Sequence, residues 1–428
     1  MKYKKKSRRL TCACIALSLA ASAASAEAGD PAEVAFGGHA KYQLIRQSYP
    51  SDSIFRDYLG ASSTDQYLET RLKLAADRSG WDFKADYQFI AIRADTLSLA
   101  DRLPGSALPI NSVISDDRRW WDLTYRSGDS GRTAFVHRLD RLSVGFSTER
   151  TVWRFGRQAI SWGNGLMFTP MDVFNPFDPA AVDKEYKSGD DMLYGQFLFE
   201  HGGDLQAVAV VRRDPLSGEV EREASSLAAK YHGFLGDNGF DVLAAEHYDD
   251  TILGVGGDFN LGGAILRGDL TWTRTRLDEV LSAVASASYS WTWGGRNVTG
   301  LLEYYYNGFG QAGGAYTLIE LARNPDLRDR LERGELYTLG RHYLGASATI
   351  ELTPLLRLVP NLFLNLDDPS ALAQLVTQFD FRQEWLLLCA LNVPVGPSGT
   401  EYGGIATQAS DRYFSTGPSF FAELAWYF

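Results

Sequence analysis

The chain has 428 residues, 45% hydrophobic and 22% charged, with 42 Lys+Arg against 53 Asp+Glu and a net charge of −11. Apart from the N-terminus it holds no apolar run of about 18 residues, which excludes a bundle of membrane-spanning helices. The acidic balance excludes the basic face of a nucleic-acid binder.

Residues 1–26 read as an export signal. Lys2, Lys4, Lys5, Lys6, Arg8 and Arg9 precede the short, mostly apolar stretch Thr11–Ala23, and Ala24-Ser25-Ala26 forms a small-x-small cleavage site. Cys12 and Cys14 lie inside that stretch, so the predicted mature chain, 27–428, keeps one cysteine, Cys389, and no intrachain disulfide. This part is expected to form a single domain.

From there the pattern has period two. Leu68, Leu72 and Leu74 alternate with Glu69, Arg71 and Lys73; Trp81, Phe83, Ala85, Tyr87 and Phe89 alternate with Asp82, Lys84, Asp86 and Gln88. Leu266, Leu270 and Trp272 alternate with Arg267, Asp269 and Thr271; Leu302, Tyr304 and Tyr306 flank Glu303; Leu356 and Leu358 flank Arg357. Successive strand side chains point to opposite faces, so each segment has one apolar and one polar face.

Nineteen segments fit this pattern, in order 36–46, 67–78, 81–93, 118–126, 132–147, 151–162, 191–200, 204–213, 224–235 and 239–249, then 252–260, 263–276, 280–294, 297–308, 338–352, 355–366, 371–381, 384–395 and 417–428. Short turns such as Arg78-Ser79-Gly80, Asp237-Asn238-Gly239 and Gly294-Gly295-Arg296 alternate with long connections at 47–66, 94–131, 163–190, 309–337 and 396–415. Short turns on one side and long loops on the other mark a transmembrane β-barrel, as do strands longer than the usual five or six residues with aromatics at their ends. Bacterial barrels have even strand numbers. Removing 118–126 restores the alternation of short and long connections. The expected fold is therefore all-β, an antiparallel transmembrane barrel of about 18 strands (16–20), with Arg118–Arg126 as an extracellular flap. A soluble β-sandwich is the competing reading, and the exported, aromatic-ended long strands disfavour it.

The polar phase then lines the interior. Arg71, Lys73, Lys84, Arg154, Arg267, Asp269, Glu303 and Arg357 are the expected pore-lining residues. Their mixed signs predict weak net selectivity, because opposite charges on neighbouring strands pair with each other. Pro170, Asp172, Phe174, Asn175, Pro176 and Phe177 belong to a stiff, proline-rich loop that no strand accommodates. Two roles fit it, an inward constriction and a cap on the rim. Arg157 interrupts the apolar phase of Trp153 and Phe155, which suggests a bulge turning it into the lumen. Thr317–Arg323 and Asp326–Arg333 read as two helical turns split at Asn324-Pro325 and stopped at Gly334.

The last residues give an apolar face through Phe420, Ala422, Leu424, Trp426 and Phe428. A terminal Phe with Trp426 and Leu424 in phase resembles the assembly signal on the last strand of bacterial outer-membrane barrels. Gly156-Arg157-Gln158 with Trp162-Gly163, followed by Pro170–Pro179, resembles large porin-like barrels, including the alginate-export type. Leu366-Asp367-Asp368-Pro369-Ser370 is similar more loosely. The resemblance implies the outer membrane, with its lipid and lipopolysaccharide and the barrel-assembly machinery as partners. A periplasmic partner or a homo-oligomer is also compatible with it.

No cofactor or metal is expected, since no Cys/His spacing suits zinc. The acidic pairs Asp190-Asp191, Asp249-Asp250 and Asp367-Asp368 read as solvated turns. Catalysis is not expected: His247 beside Asp249 and Asp250 is the nearest candidate and falls at a strand edge. The expected role is a channel for a small or polymeric solute. The alternative is a barrel subunit of a multi-protein export system without a channel of its own.

Overall fold

The computed structural model describes residues 33–99, 115–313, 316–409 and 411–428. The expected signal segment, 1–26, lies outside them.

Nineteen strands form one sheet and eighteen of them close a ring. In chain order these are β1 (Glu33–Ser48), β2 (Ser62–Arg78), β3 (Trp81–Ala94), β4 (Thr124–Ser130), β5 (Thr133–Ser147), β6 (Thr151–Gln158), β7 (Asp190–Leu198), β8 (Asp204–Val210), β9 (Ser226–Leu235) and β10 (Asn238–His247). They continue as β11 (Asp250–Leu261), β12 (Ala264–Arg274), β13 (Glu279–Trp293), β14 (Arg296–Tyr306), β15 (His342–Thr353), β16 (Leu356–Asn365), β17 (Ser370–Arg382) and β18 (Trp385–Val395). A small hairpin, β19 (Ile405–Ala406) and β20 (Tyr413–Phe414), precedes the closing strand β21 (Ser419–Tyr427).

Every pairing in the ring is antiparallel. β21 pairs β18 on one side and β1 on the other, from Gln47↔Ser419 to His39↔Tyr427. Closure leaves no strand edge in hydrocarbon, where an unpaired amide is costly. The apolar phase faces outward: Phe36, Leu68, Trp81, Leu270, Leu302 and Trp426 are all exposed. Trp81, Trp291, Trp293 and Trp426 sit at the short-turn ends, as an interfacial girdle requires.

The flap differs in detail from expectation. β3 pairs β5 directly over its length, and β4 pairs only the upper part of β5, at Thr124↔Arg138 to Ser130↔Thr133. β6 pairs the lower part of β5 and stops at Gln158, not at residue 162. The flap therefore lies along the β5 edge that β6 leaves uncovered.

Among the described residues three short α-helices decorate the long loops: α1 (Ile54–Leu59), α2 (Leu318–Ala322) and α3 (Pro325–Arg333). The last two match the expected pair of helical turns. Thr317 and Asn324 cap their N-termini, and Gly334 ends α3 at φ 71°. Their apolar sides form a separate core from Phe309, Tyr316, Leu321, Leu327, Leu331, Leu339 and Ile405. This core makes a lid.

Candidate functional site: the lumen and its inner collar

All eight expected pore-lining residues fall in the inward phase, and the loop 159–189 meets that phase on nearly every side. After Gln158 the chain leaves the wall. Trp162 Nε1 donates to Gln206 on β8 (2.7 Å). Asn164 then reaches two strands, its Nδ2 donating to Asp241 on β10 (3.0 Å) and to Asp269 on β12 (2.8 Å), while its backbone N–H donates to Asp269 (2.7 Å). On β14, Glu303 accepts the backbone N–H groups of Leu166, Met167 and Phe168 at 2.8, 2.9 and 2.6 Å. These carboxylates act as hooks. Donors already fixed in the loop satisfy charges that burial would otherwise penalise.

The loop then continues round the wall. Gln374 on β17 donates to the Ala180 carbonyl (2.8 Å). Lys41 on β1 binds Asp183 and Glu185 at 2.7 and 2.8 Å, and Tyr427 on β21 donates to Glu185 (2.9 Å). The Tyr186 ring lies under Arg71 of β2, 4.3 Å from the guanidinium, and its hydroxyl receives Lys73. Arg141 on β5 donates to the Lys187 carbonyl (2.5 Å) before the chain rejoins the wall at β7. Residues 159–189 thus form a collar round the interior, anchored to acids on β10–β14 and to cations on β1–β5.

Apolar contacts fill the spaces between the hooks. Trp162, Met171, Val173 and Phe174 pack on the inner faces of β7–β11 through Met192, Val208, Val210, Leu243 and Ile252. Met167 and Phe168 pack on Val284, Tyr305, Tyr343 and Phe363. Asn175 bonds Asp190 (3.2 Å), and Asp172 pairs with Lys187 across the collar. Met171, Val173 and Phe174 of the proline-rich stretch therefore pack on inner strand faces, and the Pro176 carbonyl accepts the Tyr337 hydroxyl (3.3 Å).

The remaining charges divide as the alternation suggests. Arg154 pairs with Asp82 (3.2 Å) and Arg357 with Asp380 (3.7 Å), both as cross-strand contacts. A bulge opposite Asp86/Tyr87 inserts Asp140 into β5. That carboxylate, 2% exposed, gathers Arg71 (2.8 Å), Arg141 (2.7 Å) and Arg138. Arg267 donates to the Ser288 hydroxyl (3.1 Å). Lys84, in phase with Asp82 and Asp86, has no partner among the described residues.

Arg157 departs from the expectation of a bulge. It stays in register with Leu142 and Asp191, in the outward phase, although Gly156 before it has φ 126°. The flap covers it. Its guanidinium forks onto Asp191 (2.8 and 3.0 Å), reaches Asp116 (2.9 Å) and donates to the Trp121 carbonyl (2.6 Å), leaving it fully buried.

His247 also has partners that its sequence neighbours did not suggest. It bonds Ser226 (2.9 Å) on one side and Glu335 of the lid (3.0 Å) on the other. The Ser–His–Glu spacing is that of a nucleophile, base and acid. Here, however, Ser226 is buried and its oxygen accepts Arg212 Nη1 (2.6 Å), so the line works as a tie between wall and lid. Asp250 likewise holds Arg330 of α3 (2.5 Å). The acidic pairs 249–250 and 367–368 are thus partly structural: Asp367 caps the N–H groups of Arg341 and His342 at 2.5 and 2.8 Å.

No protein-family model and no curated protein sequence matches the chain. Among solved structures it is similar to a BenF-like porin from Pseudomonas fluorescens Pf-5, at 9% identity and TM-score 0.53, over 92% of this chain and 98% of that one. It is also similar to Wzi of Escherichia coli, an outer-membrane protein described as a carbohydrate-binding β-barrel involved in group 1 capsule assembly. The identity there is 10% and the TM-score 0.51, over 96% of this chain and 86% of that one. At such identities the likeness is one of fold: the chain folds as a closed 18-strand antiparallel β-barrel with an apolar outer band, like the barrels of these outer-membrane proteins.

Proposed function

We propose that the protein is a passive channel in the bacterial outer membrane, its bore set by the collar 159–189. The observation that carries this reading is the collar's course. It follows the wall from the acidic hooks to the basic ones, so it narrows the lumen. The inward cations and acids are largely paired, which supports weak charge selectivity. No catalytic role is proposed. The partners in this reading are outer-membrane lipid and lipopolysaccharide around the apolar band, and the barrel-assembly machinery reading Leu424, Trp426 and Phe428. Export by way of the signal segment 1–26 belongs to the same reading.

Single-channel recording of the purified full chain in planar bilayers tests it. Deleting Pro170–Pro179 should raise unit conductance. An unchanged conductance from a correctly folded deletion variant rejects the collar as the constriction.

A second reading has its own support. The lid carries an apolar core and is tied to the wall by Arg330–Asp250 and His247–Glu335. A barrel closed in this way suits a binding or export-assembly subunit with no free-standing channel. A silent bilayer together with co-purification of a periplasmic or inner-membrane complex would favour it.

A further inference from the structure

Between the collar and the wall, beneath the lid, lies a cavity whose lining is unlike the rest of the lumen. Its flat walls are Phe168, Phe177, Phe309 and Tyr337, with the collar prolines between them. Phe168 stacks on Tyr305, ring centres 4.8 Å apart and planes 10° from parallel. Tyr305 lines the same cavity, is 3% exposed, and has no hydrogen-bond partner for its hydroxyl among the described residues. That hydroxyl is not sealed into the wall, so it can take a partner from within the cavity. Thr273 on β12, one strand beyond β13 in the same wall, also lines the space, and its hydroxyl is likewise unpartnered among the described residues.

The charged residues at this cavity are already neutralised. Arg330 is held by Asp250 (2.5 Å), Glu335 by Arg333 (2.8 Å) and His247 (3.0 Å), and Asp172 by Lys187. An ionised ligand would find no unpaired countercharge there and would lose its hydration. Apolar flat walls with a few convergent hydroxyls are the usual composition of a small-molecule site.

We propose that this cavity binds a small uncharged ring compound bearing an oxygen, of the phenol or cyclohexanol class, with Tyr305 and Thr273 as its polar contacts. The ring packs between the collar and lid aromatics, and the ligand oxygen meets the two free hydroxyls. The site deepens the channel reading by giving the lumen a subsite for neutral solutes. Its test is binding rather than current, so a silent barrel that binds would sink only the channel reading.

The experiment is equilibrium binding of phenol, cyclohexanol and benzoate to the detergent-purified full chain, followed by saturation-transfer NMR. Phenol and cyclohexanol should bind saturably, with benzoate at least about tenfold weaker. Tyr305→Phe should weaken phenol binding roughly fivefold, the worth of one neutral hydrogen bond. Thr273→Phe, checked for an intact heat-dependent gel shift, should abolish binding by filling the space. The proposal is overturned by absent saturable phenol binding, by benzoate binding as well as phenol, or by a Tyr305→Phe barrel that binds phenol unchanged. Should Thr273→Phe fail to fold, the Tyr305→Phe comparison and the benzoate control decide the matter.

Discussion

Arg157 shows how one side chain can hold a seam. It sits where β6 ends, and four of its five donors are matched by Asp191, Asp116 and the Trp121 carbonyl. Removing a buried guanidinium strands two buried carboxylates, which costs about 3–5 kcal/mol. Arg157→Ala should therefore lower the unfolding free energy of the refolded barrel, read from urea titration, by an amount of that order, and Arg157→Lys should recover little of it, since an ammonium cannot fork. Glu401, in the loop after β18, supplies a pH dependence. Burial raises its pKa to about 7, and the Tyr343 hydroxyl, the Leu339 N–H and the Asn365 amide donate to it. A carboxyl whose folded pKa is raised stabilises the fold most fully below its unfolded pKa, and that contribution fades as pH rises through the folded value. The contact between this loop and the lid segment at Leu339 should weaken as pH rises from about 4.5 to 7. Melting temperatures across that window should fall in the wild type and fall less in Glu401→Gln.

Among the elements, the collar is the one whose anchors can be cut singly. Glu303 alone receives three consecutive backbone N–H groups. Glu303→Ala should free residues 166–168 and give larger or noisier unit currents in bilayers from a barrel that still shows its heat-dependent gel shift. The closing seam is equally specific. A Cβ on Gly38 would sit 2.1 Å from the Arg71 carbonyl oxygen and 3.0 Å from the Phe428 ring. Gly38→Ala should accordingly reduce the fraction of heat-modifiable barrel on gels, while Gly60→Ala, where a Cβ meets nothing, should cost only local turn strain. The strands were legible in the sequence because their signal is local: Asp82, Lys84 and Asp86 alternate with Phe83, Ala85 and Tyr87 wherever the chain folds. So were α2 and α3, through Thr317, Asn324-Pro325 and Gly334. The collar's path was not, because its partners are remote in sequence. Asp241 lies 77 residues from Asn164, and Lys41 lies 142 from Asp183. Arg157 misled for a related reason. Its charge in an apolar phase signalled an anomaly correctly, but the remedy was a cover from Asp116 and Trp121, and not a bulge. Ser226, His247 and Glu335 were likewise invisible as a set, spread over more than a hundred residues.

For the whole molecule, one arrangement underlies every other conclusion: a sealed ring with an apolar exterior and a wet, collared interior. Adjacent residues of β3 should then report opposite environments. The direct measurement is cysteine accessibility in proteoliposomes, in a Cys389→Ser background, with Phe83→Cys, Lys84→Cys and Ala85→Cys exposed to a water-soluble charged maleimide. Lys84→Cys should label quickly, while Phe83→Cys and Ala85→Cys should stay protected until the vesicles are dissolved in denaturant. Equal labelling at all three positions, or the reverse order, would contradict the barrel.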